Sequence, residues 1–301
     1  MTEWSLAVDI GGTKMAAGLV DRSGTLLHRA QVPTPPSKLS ETVGVSQDGE
    51  HLWSTLSALV SGVCAQLPDG DRIVVCGVGC GGPMSKGGDT VSPLNIGGWR
   101  AFPLRARLSE LVGVSAFVDN DAKALALGEG WIGAAAGLDD YIAMVVSTGV
   151  GGGVVLDGRL LNGLSGNAGH IGHMVVVPDG RPCVCGSQGC LEAEASGTAI
   201  AAITGQPAQL ASDDIKVRTG TLVGLAISAV VNLLDLPLAV VSGSVALGFG
   251  NTFFDAAQRE LDRRCGLEFT HGARVMPGGL GDAGPLVGAS AVGWHGLDAA
   301  E

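Results

Sequence analysis

The sequence predicts an α/β fold with a duplicated β-sheet core and a loop stabilised by a metal ion, and three observations support this prediction. Strand-like apolar runs alternate with helix-like segments along the 301 residues, a pattern typical of α/β architecture. A strand, a glycine-rich turn and a second strand follow one another at 4–20 and again at 141–156. Three cysteines and two histidines fall within residues 170–190, which indicates a metal site.

Composition narrows the class of protein. Hydrophobic residues make up 46% of the chain, enough for a large core, and the formal net charge is −11. Because no basic stripe stands out that could neutralise phosphates, we expect no nucleic-acid partner and favour a small-molecule substrate. A strand begins almost at once, with no secretory leader before it, and the cysteines outside the cluster are scattered. A reducing cytoplasm is therefore the expected location.

Two segments poor in charge, 220–234 and 238–254, could be mistaken for membrane spans. Asp235 and Pro237 separate them, the first has an amphipathic period, and the second contains three glycines. We therefore expect no membrane association.

Each half of the chain carries the same order of predicted elements. In the first half, strands at 4–10 and 15–20 flank a Gly-Gly-Thr-Lys turn. In the second half, a strand at 141–147, a turn at 148–153 and a strand at 154–156 repeat this order. The two turns are expected to face each other across a cleft, with backbone N–H groups and hydroxyls directed at a polyphosphate.

The remaining segments alternate between helical and strand patterns. A helix at 51–66 would place Leu52, Leu56 and Val63 on one face, and other segments are rich in Ala and Leu. The other predicted elements are strands at 25–32 and 238–242 and helices at 121–136, 220–234, 251–265 and 285–294.

Cys183, Cys185 and Cys190, together with a histidine at 170 or 173, have the ligand types of a closed zinc site. Three thiolates and one imidazole fill the tetrahedron that Zn²⁺ prefers, so no position remains for water and the ion would be structural. Free buried cysteines beside unrelated histidines are the alternative interpretation.

The motifs of the chain occur in the order found in one family. DIGGTK at 9–14, NDA at 120–122, STGVGGG at 147–153, AGHIGH at 168–173 and CVCGSQGCLE at 183–192 closely resemble the ROK family of sugar kinases. The resemblance extends nearly from end to end, and several independent motifs are more specific than one glycine-rich loop.

This resemblance implies an actin-like, hexokinase-type pair of α/β lobes, with ATP and a sugar in the cleft between them. The N-terminal lobe is expected at 1–117 and the C-terminal lobe at 118–284. A last helix near 285–301 is expected to pack back on the first lobe. The resemblance also implies a homodimer or a higher homo-oligomer.

A kinase of this kind must hold Mg²⁺-ATP and orient a hydroxyl in line with the γ-phosphorus. Asp9, at the end of a predicted strand, is suited to hold Mg²⁺ directly or through water. Gly11 and Gly12 would direct backbone donors at the phosphates, and a simple hairpin turn is the alternative, which the second glycine-rich turn disfavours. The predicted cofactor-binding residues are Asp9, Gly11, Gly12, Thr13, Lys14, Thr148, Gly149, Gly151, Gly152 and Gly243.

Asp121 is the predicted general base. It lies between an apolar strand and an Ala-rich helix, a position that presents a carboxylate at the carboxyl end of a strand. There it would accept the proton of the sugar 6-hydroxyl, and the helix N-terminus would favour its ionised form. The alternative is that Asp121 only caps the helix.

The sugar is expected to contact Gly82, Asn95, Asn120 and Asp121 from the first half of the chain. The resemblance implies that His173 ligates zinc through one ring nitrogen and donates to the sugar through the other. It also implies that Glu192 accepts from sugar hydroxyls. The implied metal ligands are then His173, Cys183, Cys185 and Cys190.

His170 departs from the commonest family pattern, AGEIGH, in which a glutamate contacts the sugar near its anomeric hydroxyl. A neutral imidazole offers one donor and one acceptor where a carboxylate only accepts, so the preferred sugar should change. The AGHIGH variant resembles the bacterial N-acetylmannosamine kinases of the family, which favours N-acetylmannosamine over glucose. A tolerated substitution without a change of substrate is the alternative.

Other functions stay open. The next alternative is a glucokinase that uses ATP or polyphosphate, and a more remote one is a sugar-sensing ROK protein that has lost catalysis. The repressors of the family carry a winged-helix region before the DxGGT motif, and Asp9 leaves no room for one in this sequence.

Overall fold

The computed structural model describes residues 1–37 and 44–300, and the described chain forms two compact units. Unit 1 comprises Met1–Ile132, Asn162–Ala168 and Asp282–Glu301, and unit 2 comprises Gly133–Leu161 and Gly169–Gly281. The short segment Asn162–Ala168 thus belongs to unit 1, although the chain on either side of it belongs to unit 2. The lobe boundary between residues 117 and 118 stays a prediction.

Unit 1 is built on a five-stranded sheet with the strand order β3-β2-β1-β5-β7. Strand β1 pairs antiparallel with β2 and parallel with β5, and β5 pairs parallel with β7. In chain order its elements are β1 (Glu3–Ile10), β2 (Lys14–Asp21), β3 (Leu26–Pro33), β4 (Gly44–Val45), α1 (Gln47–Cys64), β5 (Arg72–Cys80), β6 (Trp99–Arg100), α2 (Leu104–Val112), β7 (Ala116–Asn120) and α3 (Asp121–Ile132).

Helix α1 illustrates why these segments fold as they do. Leu52, Leu56 and Val63 recur at helical spacing and are fully buried against the sheet of unit 1. Ser46 caps the helix, because its hydroxyl accepts the N–H of Gly49 at 3.0 Å. The helix therefore begins four residues before the predicted start at residue 51.

Unit 2 repeats this sheet, with the strand order β10-β9-β8-β11-β12. As in unit 1, two antiparallel pairings are followed by two parallel ones, so the predicted duplication is confirmed. In chain order its elements are β8 (Tyr141–Val146), β9 (Val150–Leu156), β10 (Arg159–Leu160), α4 (Leu191–Ala195), α5 (Gly197–Thr204), α6 (Asp213–Leu234), β11 (Leu238–Ser242), α7 (Ser244–Phe249), α8 (Asn251–Arg264) and β12 (Arg274–Pro277).

The glycine-rich segment after β8 differs from the prediction. Strand β9 begins at Val150, so Gly151 and Gly152 are paired with β8 and do not lie in a turn. Gly152 is buried, and a Cβ there would lie 3.0 Å from the side chain of Ile171. The turn predicted at 148–153 is therefore too long. Pairing with β8 and close packing of Gly152 against Ile171 outweigh the local tendency of these glycines to form a turn.

Helix α6 is, within the described residues, long and apolar enough by length and composition to cross a membrane. Of its most apolar window, 44% is buried inside the protein. Val223, Ile227 and Val231 belong to the core of unit 2, and the helix packs along α8. These contacts are those of a core helix, which begins at Asp213 and not at residue 220 as predicted.

The last helix, α9 (Gly284–Asp298), packs on the sheet of unit 1. Its approach is close enough that a Cβ on Gly77 of β5 would overlap the carbonyl oxygen of Ala289. A Cβ on Gly293 would lie 2.9 Å from the Cα of Gly77. Glycine is required on both sides of this contact, because any larger residue would push the helix away from the strand.

Candidate active site and metal centre

The parallel strands of unit 1 end side by side, and carboxylates lie at their carboxyl ends. In register, Asp9 of β1 is opposite Gly79 of β5, and Gly79 is opposite Asp119 of β7. A Cβ on Gly79 would lie 3.7 Å from Oδ1 of Asp9 and 3.6 Å from the Cα of Asp121. Asp9 and Asp121 therefore flank one glycine, at the sheet edge where open α/β folds bind their ligands.

The carboxyl group of Asp9 has an unusually high pKa. Burial and then the negative charge of Asp121 raise its pKa from 3.8 to about 7, although Lys14 and Arg29 act in the opposite direction. A divalent cation here would replace the proton and relieve the repulsion between the two carboxylates. By charge and by oxygen donors, these residues fit Mg²⁺.

Asn120 and Asp121 lie where β7 passes into α3. Oδ1 of Asn120 and Oδ1 of Asp121 accept the N–H of Ala122 at 3.0 and 2.8 Å. Asp121 thus takes part in the first turn of the helix, as the capping alternative requires, and it is also exposed to solvent. Capping and proton acceptance are compatible, because a carboxylate has several lone pairs.

The first glycine turn is fixed by its own backbone and by a neighbouring threonine. The N–H of Gly11 donates to the carbonyl of Lys14 at 3.0 Å. Thr34 donates its N–H to the carbonyl of Thr13 at 3.0 Å and its hydroxyl to the carbonyl of Gly11 at 2.7 Å. These bonds leave Thr13 and Lys14 exposed to solvent.

Gly12 brings this turn against the predicted sugar residue Asn95. A Cβ on Gly12 would lie 2.8 Å from Nδ2 of Asn95. Because glycine has no side chain, the amide of Asn95 can pack directly against the backbone of the turn. Gly82 lies in the same loop as Asn95, where its carbonyl accepts the N–H of Leu94 at 3.1 Å. The predicted phosphate and sugar residues of unit 1 are therefore neighbours.

Arg100, in β6, holds this loop in place, and sequence reasoning missed it. Its Nη1 donates to the carbonyl oxygens of Pro93 and Ile96 at 3.0 and 3.1 Å, and also to that of Trp99. One guanidinium thus holds the backbone on both sides of Asn95. No local signal reveals this role, because Arg100 follows an ordinary turn and its acceptors are backbone carbonyls.

The second glycine turn, in unit 2, is held in a comparable way. The N–H of Ser147 donates to the carbonyl of Gly149 at 2.9 Å, and the hydroxyl of Thr198 donates to the carbonyl of Thr148 at 2.9 Å. Gly243, with a φ of 101°, precedes α7, and a Cβ there would overlap the backbone at the end of β8. Thr148, Gly149 and Gly243 are therefore brought together, whereas Gly151 and Gly152 lie within β9.

Glu192 contacts this second turn. Its Oε2 accepts the N–H of Val150 at 2.8 Å, and a Cβ on Gly149 would lie 2.7 Å from the same oxygen. The arrangement parallels the contact between Gly12 and Asn95 in unit 1. In each unit, a residue predicted to bind sugar lies against a glycine of the predicted phosphate turn.

The cysteine cluster has the geometry of a metal site. The ligand atoms of His173, Cys183, Cys185 and Cys190 all lie within 4.8 Å of one another. Nδ1 of His173 lies 3.6 Å from Sγ of Cys183, and Sγ of Cys185 lies 3.7 Å from Sγ of Cys190. With Zn–S bonds of about 2.3 Å, the edge of a zinc tetrahedron is about 3.7 Å, so the four residues fit this ion.

The Cys190 thiol is buried beside the other cysteines of the cluster. Burial, followed by the adjacent thiols of Cys185 and Cys183, raises the pKa of Cys190 to about 12. A thiolate would be costly here without a positive charge, and a bound zinc ion would supply that charge.

His170 and His173 stack, with ring centroids 5.9 Å apart and planes inclined by 24°. His170 is exposed and directly precedes the short 3₁₀ turn Ile171–His173. Because Nδ1 of His173 faces Cys183, its Nε2 points away from the cluster. The structure thus brings the two histidines together beside the cysteine cluster.

A comparison with solved structures identifies the class of protein. The chain superposes with a TM-score of 0.81 on the ROK family glucokinase from Streptomyces griseus, which was solved in complex with glucose and AMPPNP. The two are 31% identical, and the match covers 97% of this chain and 99% of that chain. The predicted actin-like, hexokinase-type fold is confirmed, and the protein is by class a sugar kinase.

The family is shown directly by sequence. The chain belongs to the ROK family, whose model matches residues 5–294. It is 37% identical over 264 residues to an N-acetylmannosamine kinase from Escherichia coli, a match that covers 82% of this chain and 84% of that protein. It is also 38% identical over 209 residues to a glucokinase from Halalkalibacterium halodurans, covering 66% of this chain and 58% of that protein. The family resemblance predicted from the motifs is confirmed.

Proposed function

We propose that this protein transfers the γ-phosphoryl group of ATP to the 6-hydroxyl of N-acetylmannosamine in the cytoplasm. The observation that carries the choice of sugar is His170, which stands where the commonest family pattern has a glutamate. The similarity to an N-acetylmannosamine kinase over 264 residues supports the same choice.

The residues of unit 1 suggest how the reaction proceeds. Asp121 would accept the proton of the 6-hydroxyl as its oxygen attacks the γ-phosphorus and the bond to the β-phosphate oxygen breaks. Asp9 would hold Mg²⁺, which neutralises charge on the phosphate oxygens when bound. Gly12 and Thr13 would direct donors at the phosphates, whereas the N–H of Gly11 is bonded to the carbonyl of Lys14 and shapes the turn. Asn95 would orient a sugar hydroxyl.

The residues of unit 2 would complete recognition of the two substrates. Thr148 is exposed and Gly149 half-buried in a turn suited to phosphate binding. Glu192 would accept from a sugar hydroxyl, and its bond to Val150 would orient its carboxylate for this contact. A structural zinc would hold His173, leaving Nε2 to donate to the sugar.

A coupled assay of ADP formation tests this proposal. Purified protein is supplied with Mg²⁺-ATP and one of four sugars: N-acetylmannosamine, glucose, mannose or N-acetylglucosamine. The expected result is the highest kcat/KM for N-acetylmannosamine.

A glucokinase is the second candidate, because the relative from H. halodurans and the neighbour from S. griseus are glucokinases. The highest kcat/KM for glucose would support that candidate and contradict the first, and a parallel reaction with polyphosphate tests the donor.

The variant His170→Glu is expected to shift specificity towards glucose. A site arranged for one pattern of donors and acceptors leaves a group unpaired with the wrong sugar, at a cost of about 1–3 kcal/mol, or roughly ten- to a hundredfold in the ratio of the two kcat/KM values. Both sugars must be measured with each variant, because a uniform loss of activity would report only a disturbed loop. The exposed His51→Glu variant, in α1, is the control, and it should leave the ratio unchanged. If His170→Glu also leaves the ratio unchanged, His170 does not choose the sugar.

Removal of zinc is expected to impair sugar binding more than ATP binding. Protein purified without chelator should contain one zinc per chain, and Cys185→Ser should lose most of it. The KM for sugar should then rise by about tenfold or more, while the KM for ATP stays within about twofold, because the ion orders the segment that carries His173. Cys64→Ser, at a half-buried cysteine in α1, should retain the metal and serves as the control. Absence of zinc from the parent protein would contradict the assignment.

A further inference from the structure

Lys123 of α3 is a charged residue that the proposed reaction does not use and that the fold buries completely. Only 2% of its side chain is exposed. Its ammonium group contacts Oδ1 of Asp119 at 2.7 Å, Oδ1 of Asn162 at 2.7 Å and the carbonyl oxygen of Gly166 at 3.1 Å. An ammonium has three N–H donors, and here each has an acceptor.

The three acceptors come from two places in the chain. Asp119 lies at the end of β7, and its Oδ1 also accepts the N–H of Asn120 at 2.7 Å. Asn162 and Gly166 belong to the segment Asn162–Ala168, about forty residues further along the chain. Lys123 therefore fastens this distant segment to the strand and helix that present Asn120 and Asp121.

The fastened segment is a closed loop. The N–H of Ala168 donates to the carbonyl of Asn162 at 3.0 Å, which joins its two ends. Asn167 adds a second attachment, because its amide exchanges hydrogen bonds with the backbone N–H and carbonyl of Met84 at 3.4 and 3.2 Å. Leu164, near the middle of the loop, is 96% exposed, so the loop has little apolar burial of its own. Its conformation depends on these polar attachments.

The position of this loop in the sequence gives the attachment a functional meaning. Ala168 is followed directly by Gly169 and His170. His170 begins the segment that also carries His173 and the cysteine cluster. Whatever fixes Ala168 also fixes the point at which that segment begins.

We propose that Lys123 is a positioning residue for sugar recognition, which fixes the Asn162–Ala168 loop that leads into His170. This inference rests on the proposed sugar kinase function. A lysine suits the role, because its compact ammonium can meet three convergent oxygens, whereas the planar fork of an arginine cannot.

The test separates positioning from simple stabilisation. Lys123→Met leaves Asp119 without its counter-charge and is expected to destabilise the fold, since a half-buried carboxylate loses its partner. Adding Asp119→Asn removes the stranded charge and should restore most of the thermal stability. A positioning role predicts that the KM for sugar stays raised by about tenfold in this double variant, with the KM for ATP within about twofold of the parent.

Asn162→Ala removes one acceptor on the loop side and leaves Asp119 untouched. It should raise the KM for sugar in the same direction, and its effect should not add to that of Lys123→Met, because both break one network. Lys216→Met is the matched control, since Lys216 pairs with Asp213 on a helix surface at 2.8 Å, and it should change neither constant.

A second measurement does not depend on catalysis. Hydrogen exchange of the peptide that contains residues 162–168 should accelerate about tenfold or more in Asn162→Ala and in the double variant. Unchanged exchange in this peptide, or recovery of the parental sugar KM in the double variant, would overturn the role of Lys123. If the parent phosphorylates none of the four sugars, the proposed function fails, and hydrogen exchange alone still decides whether Lys123 fixes the loop.

Discussion

Asp121→Asn is expected to lower kcat by about 10²- to 10⁴-fold while sugar binding stays within about threefold of the parent. The amide is nearly isosteric with the carboxylate and can still accept the N–H of Ala122, so the first turn of α3 is preserved. Only the capacity to take the hydroxyl proton is lost. The measurements are the initial rate of ADP formation and the sugar dissociation constant from calorimetry.

The control for this prediction is Asp255→Asn, at an exposed position on α8. It makes the same chemical change on a surface and should leave kcat unaltered. Activity of Asp121→Asn within about threefold of the parent would exclude Asp121 as the base, because a positioned general base contributes at least about a hundredfold. Loss of sugar binding together with turnover would instead indicate that the carboxylate is needed to bind the substrate.

Asp9→Asn is expected to abolish most activity and to stabilise the metal-free fold. Burial and the charge of Asp121 raise the pKa of Asp9 to about 7. Between pH 4 and pH 7 the folded protein therefore binds more protons at Asp9 than the unfolded chain, and its free energy of unfolding falls as the pH rises through this window. The neutral amide removes that penalty at high pH. Above pH 7 the variant should be more stable by about 2 kcal/mol, a figure reduced for partial exposure of the site.

Thermal unfolding at several pH values, without divalent cations, checks the sign of this effect. The difference in stability between Asp9→Asn and the parent should be close to zero near pH 4 and should grow towards pH 8. Asp255→Asn should show no such trend. A difference that shrinks as the pH rises would contradict the raised pKa. The kcat of Asp9→Asn with Mg²⁺-ATP should fall by about a hundredfold or more if this carboxylate holds the cation.

The duplicated sheets could be predicted because both halves carry the same local signals. Apolar runs stop at Ile10 and Val146, glycine turns follow, and the paired strands resume. The start of α3 at Asp121 was predicted for a similar reason, since an apolar strand gives way to an Ala-rich segment there. At β1 and at the start of α3, where the sequence itself changes period, the element boundary could be located within about one residue.

The parts that could not be predicted depend on distant contacts. Strand β5 contains Gly77 and Gly79, which weaken its strand pattern, and their purpose is apparent only once α9 and Asp9 lie beside them. Gly151 and Gly152 suggest a turn when read locally. Lys123 is typical of a solvent-exposed helix position, and its burial requires an acceptor 39 residues away in the chain. Tertiary packing overrides local propensity at each of these positions.

The close contact between Gly77 and α9 also bears on how the protein is made. A nascent chain leaves the ribosome with its N-terminus first, so β1 and β5 emerge long before the helix that covers them. All residues of unit 2 have been synthesised when α9 is still to come. In the first sheet, Ala7 and Ala16 therefore stay exposed to solvent until Leu286 and Ala289 of α9 have been synthesised and pack on them. The sheet of unit 1 is thus completed only after unit 2 has been translated. A chain that ended before residue 284 would lack the helix that covers the sheet carrying Asp9, whereas all residues of unit 2 would be present.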